Sequence, residues 1–330
     1  MKTRWPCRRE EEVQRMLIRE LTEQYKAAGR RYHIVGDEQN GVVIALDVEG
    51  RIFAFKDGVV LNRVNEEAIA GISTRDNYIN PGGDGFWPAP EGSCLGYEYP
   101  TGNWRVPPSL TNARYLVKKS TPNTALAEAE VDLVNASGVG MPFLFSRDIT
   151  VSSGLKELTV SITEGIEYIG TREIAQSEAV IAPWSLCQFD CGADCTLTLP
   201  KLSAEDVRDL YPWDSSCHRK ETENGIEVEM VTEFRFQLGI SPKANWLLFT
   251  DKGRGFCVRR SAAVLVDGLE YIAIDDGDPD KPNCDRKPSR FSAYCDPSGF
   301  MEIEAAGGTP AVLKPGVKTT LLVTNQYKLL

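Results

Sequence analysis

The stretch HIVGDEQNGVVIALDVEGRIFAFKDGVVLN, residues 33–62, decides the fold class. It consists of short runs rich in β-branched and aromatic residues, and the dipeptides Asn-Gly, Glu-Gly and Asp-Gly separate these runs. Dipeptides of this kind favour tight hairpin turns, and the runs between them have the length of strands. The stretch therefore predicts a succession of three short strands.

The same pattern continues to the end of the chain. Strand-like segments recur at residues 127–137, 155–176, 226–241, 245–260, 300–306 and 318–330. No helical units alternate with them, which excludes a parallel doubly wound sheet and favours antiparallel sheets packed as a sandwich. We predict an all-β fold with a single domain over residues 31–330.

One long helix is predicted in an N-terminal arm, residues 1–30. Over residues 8–28 apolar side chains recur at spacings of three and four, and charged residues fill the other face. The apolar positions are Val13, Met16, Leu17, Leu21 and Tyr25. Such a stripe must be covered, either by the sheet or by a second copy in a homo-oligomer. A second, short helix is predicted at residues 203–210, where Ser203 is a potential N-cap.

Charge and hydropathy argue against several classes of protein. The chain has 330 residues, with 37 Lys and Arg against 47 Asp and Glu and a formal net charge of −10. Nucleic-acid binding needs a basic surface for phosphate contacts, so it is disfavoured. No apolar run approaches the roughly 20 residues of a membrane helix, and the N-terminus is charged where a signal peptide is apolar. We expect a cytoplasmic protein without membrane contact.

The cysteines do not indicate a metal site. Cys187, Cys191 and Cys195 form a run with three residues between each pair. Zinc sites favour closer pairs with a second pair in reach, and iron–sulfur runs use tighter spacings. We expect reduced, buried thiols on a hairpin, and neither a metal nor a cofactor.

The most unusual stretch covers residues 77–110, NYINPGGDGFWPAPEGSCLGYEYPTGNWRVPPSL. It is too apolar for a solvated loop and too interrupted for a strand, so we predict a long ordered loop with a function. Glycine lets backbone approach a ligand, and tryptophan offers a flat apolar face to a sugar ring. The alternative is that the tryptophans close one end of the core. The candidate binding residues here are Gly83, Asp84, Trp87, Glu91, Trp104 and Arg105.

Four segments follow one another along the chain in a recognisable order. They are GGDGFWPAPE (82–91), IAPWSLCQF (181–189), FRFQLGISPKANW (234–246) and MEIEAAGGTPAVLKPGVKTTLLVTNQYKL (301–329). Together they resemble motifs of the galactose mutarotase-like superfamily, especially those of one bacterial branch. The resemblance spans roughly residues 35–330 of this chain. It implies a β-supersandwich, two large twisted antiparallel sheets with a concave face that binds sugar.

The resemblance also implies a reaction. Mutarotases open and close an aldose ring by acid–base catalysis, in which a glutamate takes the proton of the anomeric hydroxyl and a histidine protonates the ring oxygen. Glu304 matches the glutamate of the closing strand. Glu302 is the alternative, because residues two apart on a strand share a face.

The sequence does not identify the acid of such a reaction. The chain has two histidines, His33 and His218, and the histidine of the superfamily belongs near residues 181–189, where Trp184 and Gln188 stand instead. Three alternatives follow. His218 folds over the site, or Asp84 with a raised pKa serves as the acid, or the protein performs no epimerase chemistry.

The remaining candidates for substrate binding are Trp184, Gln188, Arg147 and Lys243. A cation on a concave sheet can donate hydrogen bonds to sugar hydroxyls, and Arg147 also matches a position of the superfamily. The sequence favours a protein that binds a small carbohydrate. The alternatives are a non-catalytic sensor of a sugar or metabolite, and a structural β-sandwich that binds a protein partner.

Overall fold

The computed structural model describes residues 15–74, 77–91, 95–97, 106–211, 214–230, 232–274 and 287–330. Its helices are α1 (Ile18–Ala27), α2 (Glu66–Ala70) and α3 (Pro108–Thr111), with 3-10 turns at Ala204–Asp206 and Ser216–His218. The strands, in chain order, are β1 (His33–Gly36), β2 (Gly41–Ala45), β3 (Arg51–Lys56), β4 (Val59–Val60), β5 (Asp84–Ala89), β6 (Leu116–Thr121), β7 (Thr124–Val134), β8 (Gly140–Ser153), β9 (Glu157–Tyr168), β10 (Ile174–Ala175), β11 (Ala182–Asp190), β12 (Cys195–Leu199), β13 (Val207–Asp209), β14 (Arg219–Thr222), β15 (Gly225–Glu229), β16 (Phe236–Ile240), β17 (Trp246–Asp251), β18 (Phe256–Ala262), β19 (Leu269–Tyr271), β20 (Phe291–Asp296), β21 (Phe300–Ala306), β22 (Gly308–Pro310), β23 (Val312–Leu313) and β24 (Lys318–Leu329).

Most of these strands belong to two large antiparallel sheets. The first, which we call the front sheet, has the order β1-β2-β3-β5-β11-β21-β20-β16-β13, with β4 beside β3. The second, the back sheet, has the order β14-β15-β12-β17-β18-β24-β9-β8-β7-β6. Two-stranded sheets of β10 with β23 and of β19 with β22 complete the described strands. The predicted all-β fold of two large antiparallel sheets is confirmed.

The inner faces of the two sheets form the main hydrophobic core. Phe189 of β11 stacks on Phe249 of β17 with their ring centroids 4.8 Å apart, and Phe86 of β5 meets Phe145 of β8 at 4.9 Å. Because successive side chains of a strand point to opposite faces, every second residue of the front sheet enters this core. The others lie on the outer face of the front sheet.

Helix α1 covers one part of that outer face. Its Leu21 and Tyr25 are fully buried and pack with Val43, Phe53 and Phe55 of β2 and β3. The helix begins at Ile18, and residues 1–14 of the predicted arm lie outside the described part of the chain. Leu21 and Tyr25 of the apolar stripe are thus covered by the chain's own sheet, and the homo-oligomer stays a prediction. None of the described helices has the length and hydrophobicity needed to cross a bilayer.

Strand β5 stands where the sequence predicted a loop, so that part of the prediction is wrong. Along its whole length β5 pairs with β11, whereas with β3 it pairs only at Ile52 and Asp84. Beyond Asp84 no residue of β3 pairs with β5, so no backbone N–H is needed on that edge of the strand. A proline there interrupts no hydrogen bonds between strands. This is why Pro88 is tolerated near the middle of the front sheet.

The predicted cysteine hairpin is also wrong. Cys187 lies on β11 of the front sheet and Cys195 on β12 of the back sheet, so the chain crosses between sheets at the predicted turn. Both edges of β11 are already paired, with β5 and β21, and β12 finds its partners elsewhere. Both cysteines are buried free thiols, as expected.

The predicted helix at residues 203–210 shrinks to a single 3-10 turn. The Asp206 carboxylate accepts hydrogen bonds from the Ser203 backbone N–H at 3.3 Å and from the Ser203 hydroxyl at 2.5 Å. After that turn Val207–Asp209 becomes β13, because it pairs with β16 at the edge of the front sheet. Tertiary pairing overrides a weak local preference for helix.

Candidate functional site

A cavity of about 560 Å³ lies on the outer face of the front sheet, beside the part that α1 covers. Its floor is formed by β5, β11, β21, β20 and β16, and residues 63–80 contribute to its wall. The volume falls in the range of roughly 300–1,000 Å³ that is typical of sites for small molecules. The lining side chains of the floor include Trp87, Trp184, Leu186, Gln237, Tyr294, Glu302 and Glu304.

Strand alternation decides which side chains reach the cavity. On β11, Trp184 and Leu186 line the cavity, whereas Ser185 between them points to the back sheet. On β21, Glu302 and Glu304 both line the cavity, as residues two apart on one strand should. The sequence-based expectation that these two glutamates share a face is therefore confirmed.

Glu304 lies at the centre of the floor and is fully buried. The indole nitrogen of Trp184 donates a hydrogen bond of 3.1 Å to its carboxyl group, and the amide of Gln237 lies 3.2 and 3.3 Å from its two oxygens. Burial, reinforced by the charge of the neighbouring Glu302, raises the pKa of Glu304 well above its usual range. The surroundings of Glu304 therefore favour the protonated form of its carboxyl group.

Glu302 has a different environment on the same face. The side-chain amide of Gln188 donates to its carboxylate at 2.5 Å and also reaches Asn80 at 3.0 Å. Burial raises the pKa of Glu302 too, but the positive charge of Arg51 opposes that rise. The surroundings thus raise the pKa of both carboxyls, and at Glu302 a neighbouring cation opposes the rise.

Aromatic rings form one wall of the cavity. Trp87 of β5 and Trp184 of β11 are direct cross-strand partners, and their rings meet edge to face with centroids 6.4 Å apart. Tyr78 meets Trp87 in the same way at 5.7 Å. Rings of this kind present apolar surface to a ligand while their polar atoms stay hydrogen-bonded.

Arg51 contacts both the aromatic wall and a buried carboxylate, that of Glu49. It is 1% exposed and donates to the buried Glu49 carboxylate at 2.8 and 3.1 Å, and to the Tyr78 hydroxyl at 2.8 Å. Its guanidinium also lies over the Trp87 ring, 5.5 Å from the centroid. On β5 only a glycine leaves room for it, because a Cβ at Gly85 would lie 2.4 Å from its Nη1. Arg51 therefore supplies a fixed positive charge next to the cavity.

Two candidates from the sequence, Asp84 and Arg147, lie outside the cavity, in the interior between the sheets. Both are essentially unexposed, at 1% and 0%. Asp84 occupies the opposite face of β5 from Trp87, since the two are three residues apart. Arg147 donates to the Glu164 carboxylate at 2.6 and 3.0 Å. The structure therefore does not bring either residue to the proposed sugar site.

Asp84 cannot serve as the missing acid for a second reason. It accepts hydrogen bonds from Arg260 at 2.8 Å and Asn325 at 2.9 Å. Burial favours its protonated form, but the charges of Arg260 and Arg147 outweigh burial and hold the pKa of Asp84 below its ordinary value. The alternative that gave Asp84 a raised pKa is wrong.

The two histidines also lie away from the cavity. His218 is the last residue of the 3-10 turn before β14, at the edge of the back sheet, and its Nδ1 is 3.1 Å from the Glu229 carboxylate. The His33 ring nitrogen is 2.8 Å from the Ser120 hydroxyl. The expectation that His218 folds over the site is wrong, because the strand that follows it belongs to the other sheet.

Lys243 and Gly83 have structural positions outside the cavity lining. The ammonium group of Lys243 is 3.1 Å from the Asp206 carboxylate, and its side chain is 66% exposed. Gly83 has φ of +70°, and a Cβ there would lie 2.9 Å from the carbonyl oxygen of Ile52. It shapes the turn into β5. Of the other loop candidates, Glu91 lines the cavity, and Trp104 and Arg105 lie outside the described residues.

Several cavity residues escaped the sequence analysis. Arg235, just before β16, and Gln237, within it, both line the cavity. Tyr294 and Arg63 line it as well. The available signal was an amide inside the otherwise apolar run FQLGI, residues 236–240. A polar side chain in such a strand indicates either a buried partner or a site. In this case it indicates both.

In the described part of the chain, no group of three or more His, Cys, Asp or Glu side chains has an arrangement that could hold a metal ion. The carboxyls of the cavity floor accept hydrogen bonds from Trp184, Gln188 and Gln237.

Solved structures share the fold of this chain at low sequence identity. A protein from Synechocystis sp. PCC 6803 is 12% identical with a TM-score of 0.55, over 91% of this chain and 96% of that one. A galactose mutarotase related enzyme from Lactobacillus acidophilus is 9% identical with a TM-score of 0.50, over 91% and 100%. A galactose mutarotase-like protein from Lactobacillus casei is 10% identical with a TM-score of 0.50, over 90% and 100%.

These similarities show that the chain has the galactose mutarotase-like fold, as the motif resemblance implied. No protein-family model matches the sequence, and no curated protein matches it.

Proposed function

We propose that this protein binds a small carbohydrate, an aldose or a sugar derivative, in the cavity on the outer face of the front sheet. One observation carries the proposal. The rings of Trp87 and Trp184 and the carboxyls of Glu302 and Glu304 face the same cavity. A sugar has apolar C–H faces that stack on aromatic rings and hydroxyls that hydrogen-bond to carboxylates and amides, so this lining matches both parts of a sugar.

The fold supports the choice of ligand class. The solved structures from the two Lactobacillus species are a galactose mutarotase related enzyme and a galactose mutarotase-like protein. On this chain the cavity lies on one large sheet, over the strand that carries the two glutamates. A hexose is therefore the first ligand to test.

Titration with a panel of aldoses, followed by intrinsic tryptophan fluorescence, tests the proposal. Trp87 and Trp184 belong to the six tryptophans of the chain and line the cavity. A bound sugar should change their emission in a saturable way. A flat response to every aldose would favour the structural β-sandwich that binds a protein partner.

Replacing Trp87 with leucine should weaken aldose binding about tenfold, which corresponds to about 1.4 kcal/mol. The substitution removes an aromatic face of the cavity wall. Calorimetric titration gives the dissociation constant. The matched control is Trp246→Leu, because Trp246 lies on β17 of the back sheet under Arg259. Equal affinities of the two variants would show that sugar binds elsewhere.

A second candidate function, aldose 1-epimerase, is favoured by the pair of carboxyls in the cavity. Ring opening needs a base for the anomeric hydroxyl and an acid for the ring oxygen. The resemblance assigns the base to Glu304, with Glu302 as the alternative. Exchange between anomers of a bound aldose, measured by NMR, separates this enzyme from a non-catalytic sensor of the same sugar.

A further inference from the structure

The cavity offers a different acid from the one that the motif resemblance implied. Both histidines of the chain are placed elsewhere, His33 beside Ser120 and His218 beside Glu229. The cavity lining of the described residues contains Glu302 and Glu304 on one strand face. If the protein catalyses ring opening, the two buried carboxyls of the cavity floor are the candidates for both proton transfers.

The two carboxyls are held next to each other by the sheet. Glu302 pairs across the strands with Gln188, and Glu304 pairs with Leu186, so both point out of the same side of β21. A hydrogen bond between them stabilises the protonated form of Glu304 and the ionised form of Glu302. The pair behaves as a dyad in which one group ionises before the other.

The surroundings assign the proton to one member of the dyad. Arg51 is fixed by Glu49 and Tyr78 and acts electrostatically on Glu302, whose ionised form it favours. Glu304 is fully buried, and none of the described cations forms an ion pair with it. An ionised Glu302 next to it also disfavours a second negative charge. Glu302 is thus suited to accept a proton and Glu304 to donate one.

Aldose chemistry suits such a closely spaced pair. The anomeric hydroxyl and the ring oxygen of an aldose are bonded to the same carbon, so the two proton transfers of ring opening take place close together. Two carboxyls that share one hydrogen bond can reach both oxygens at once.

We infer that Glu302 and Glu304 together supply the base and the acid of an aldose ring-opening reaction, Glu302 as the base and Glu304 as the acid. This inference rests on the proposed function, because it requires an aldose in the cavity. It reverses the assignment of Glu304 as the base and removes the need for a histidine.

The proton transfers balance over one cycle. Glu302 accepts the proton of the anomeric hydroxyl while Glu304 donates its proton to the ring oxygen. The bond between the anomeric carbon and the ring oxygen breaks with its electron pair on that oxygen, and the anomeric carbon becomes an aldehyde. Rotation of the aldehyde exposes its other face. Ring closure then returns one proton to Glu304 and takes one from Glu302.

NMR exchange spectroscopy of an aldose that binds the wild-type protein tests the inference. We expect Glu302→Gln and Glu304→Gln each to reduce the catalysed exchange rate at least about 100-fold, because each removes one proton transfer. The exposed Glu130→Gln on β7 is the matched control and should exchange at the wild-type rate. His33→Gln and His218→Gln should do so as well. Thermal unfolding shows that each variant is folded.

The pH dependence distinguishes a dyad from a single catalytic group. Exchange needs ionised Glu302 and protonated Glu304, so its rate should rise with pH as the dyad loses its first proton and fall as it loses the second. A bell-shaped profile is the expected result. A plateau at high pH would show that no acid is needed and would overturn the assignment of Glu304.

The two measurements separate the inference from the proposed function. If an aldose changes the fluorescence of the wild-type protein in a saturable way but its exchange is not catalysed, the dyad is overturned and the proposal of sugar binding stands. Wild-type exchange in either Gln variant, or loss of exchange in a histidine variant, also overturns the dyad. If no aldose binds, both the proposed function and the inference are wrong.

Discussion

Replacing Asp84 with asparagine should lower the free energy of unfolding by roughly 3–5 kcal/mol, as expected when one partner of a buried ion pair is removed. Asp84 is the carboxylate that pairs with Arg260 at 2.8 Å, and Arg260 is fully buried between the sheets. A guanidinium cannot lose its proton to escape the interior. The variant therefore leaves a buried positive charge without a carboxylate among its described contacts.

Urea denaturation measures this loss. The matched control is Asp148→Asn, because Asp148 is exposed on β8. That variant should change stability by less than about 0.5 kcal/mol. If Asp84→Asn loses no more than the control, Asp84 and Arg260 do not form the buried pair on which the sandwich interior depends. Sugar affinity should survive in the folded fraction of Asp84→Asn, because the side chain lies behind the sheet.

Replacing Arg51 with methionine should destabilise the protein by roughly 3–5 kcal/mol as well. The buried Glu49 carboxylate would lose both hydrogen bonds from the Arg51 guanidinium, at 2.8 and 3.1 Å. The variant should also alter the site. Removing the positive charge takes away the effect that opposes the rise of the Glu302 pKa, so that pKa should move further up.

Two readouts check the Arg51 prediction. Denaturation gives the stability, and carbon-13 NMR of labelled glutamate side chains follows the titration of Glu302. Arg172→Met is the matched control, since Arg172 forms an exposed ion pair with Glu178 at 2.9 Å. Exposed pairs contribute less than about 1 kcal/mol. If the titration midpoint of Glu302 is unchanged or lower in Arg51→Met, Arg51 does not control the ionisation of the dyad.

Much of the fold could be predicted from local patterns. The turns around Asn40, Glu49 and Asp57 lie where the sequence predicted turns, although they separate four strands, β1 to β4, and not three. Turn chemistry acts within a few residues, so no distant contact is needed to interpret it. Where a prediction failed, the reason was a distant partner. Residues 84–89 became a strand because β11 pairs with them, and residues 207–209 because β16 does.

The candidate site divides in the same way. The shared face of Glu302 and Glu304 follows from their spacing on one strand. The assignment of Asp84 to the site failed because residues 77–110 were predicted as a loop, whereas the pairing of β5 with β11 puts Asp84 and Trp87 on opposite faces. The assignment of Arg147 failed because that residue pairs with Glu164 between the sheets. Arg51 and Gln237 were missed because their role depends on neighbours far away in the chain.

By itself, the sequence determined the all-β class, the order of the early hairpins and the alternation that puts two glutamates side by side, because these properties depend on residues only a few positions apart. Only the tertiary structure decided which face of the front sheet became the core and which became the cavity. That choice depends on how β5, β11 and β21 stack against the back sheet. Burial between the sheets turned Asp84 into an ion-pair partner, and burial under the cavity raised the pKa of Glu304.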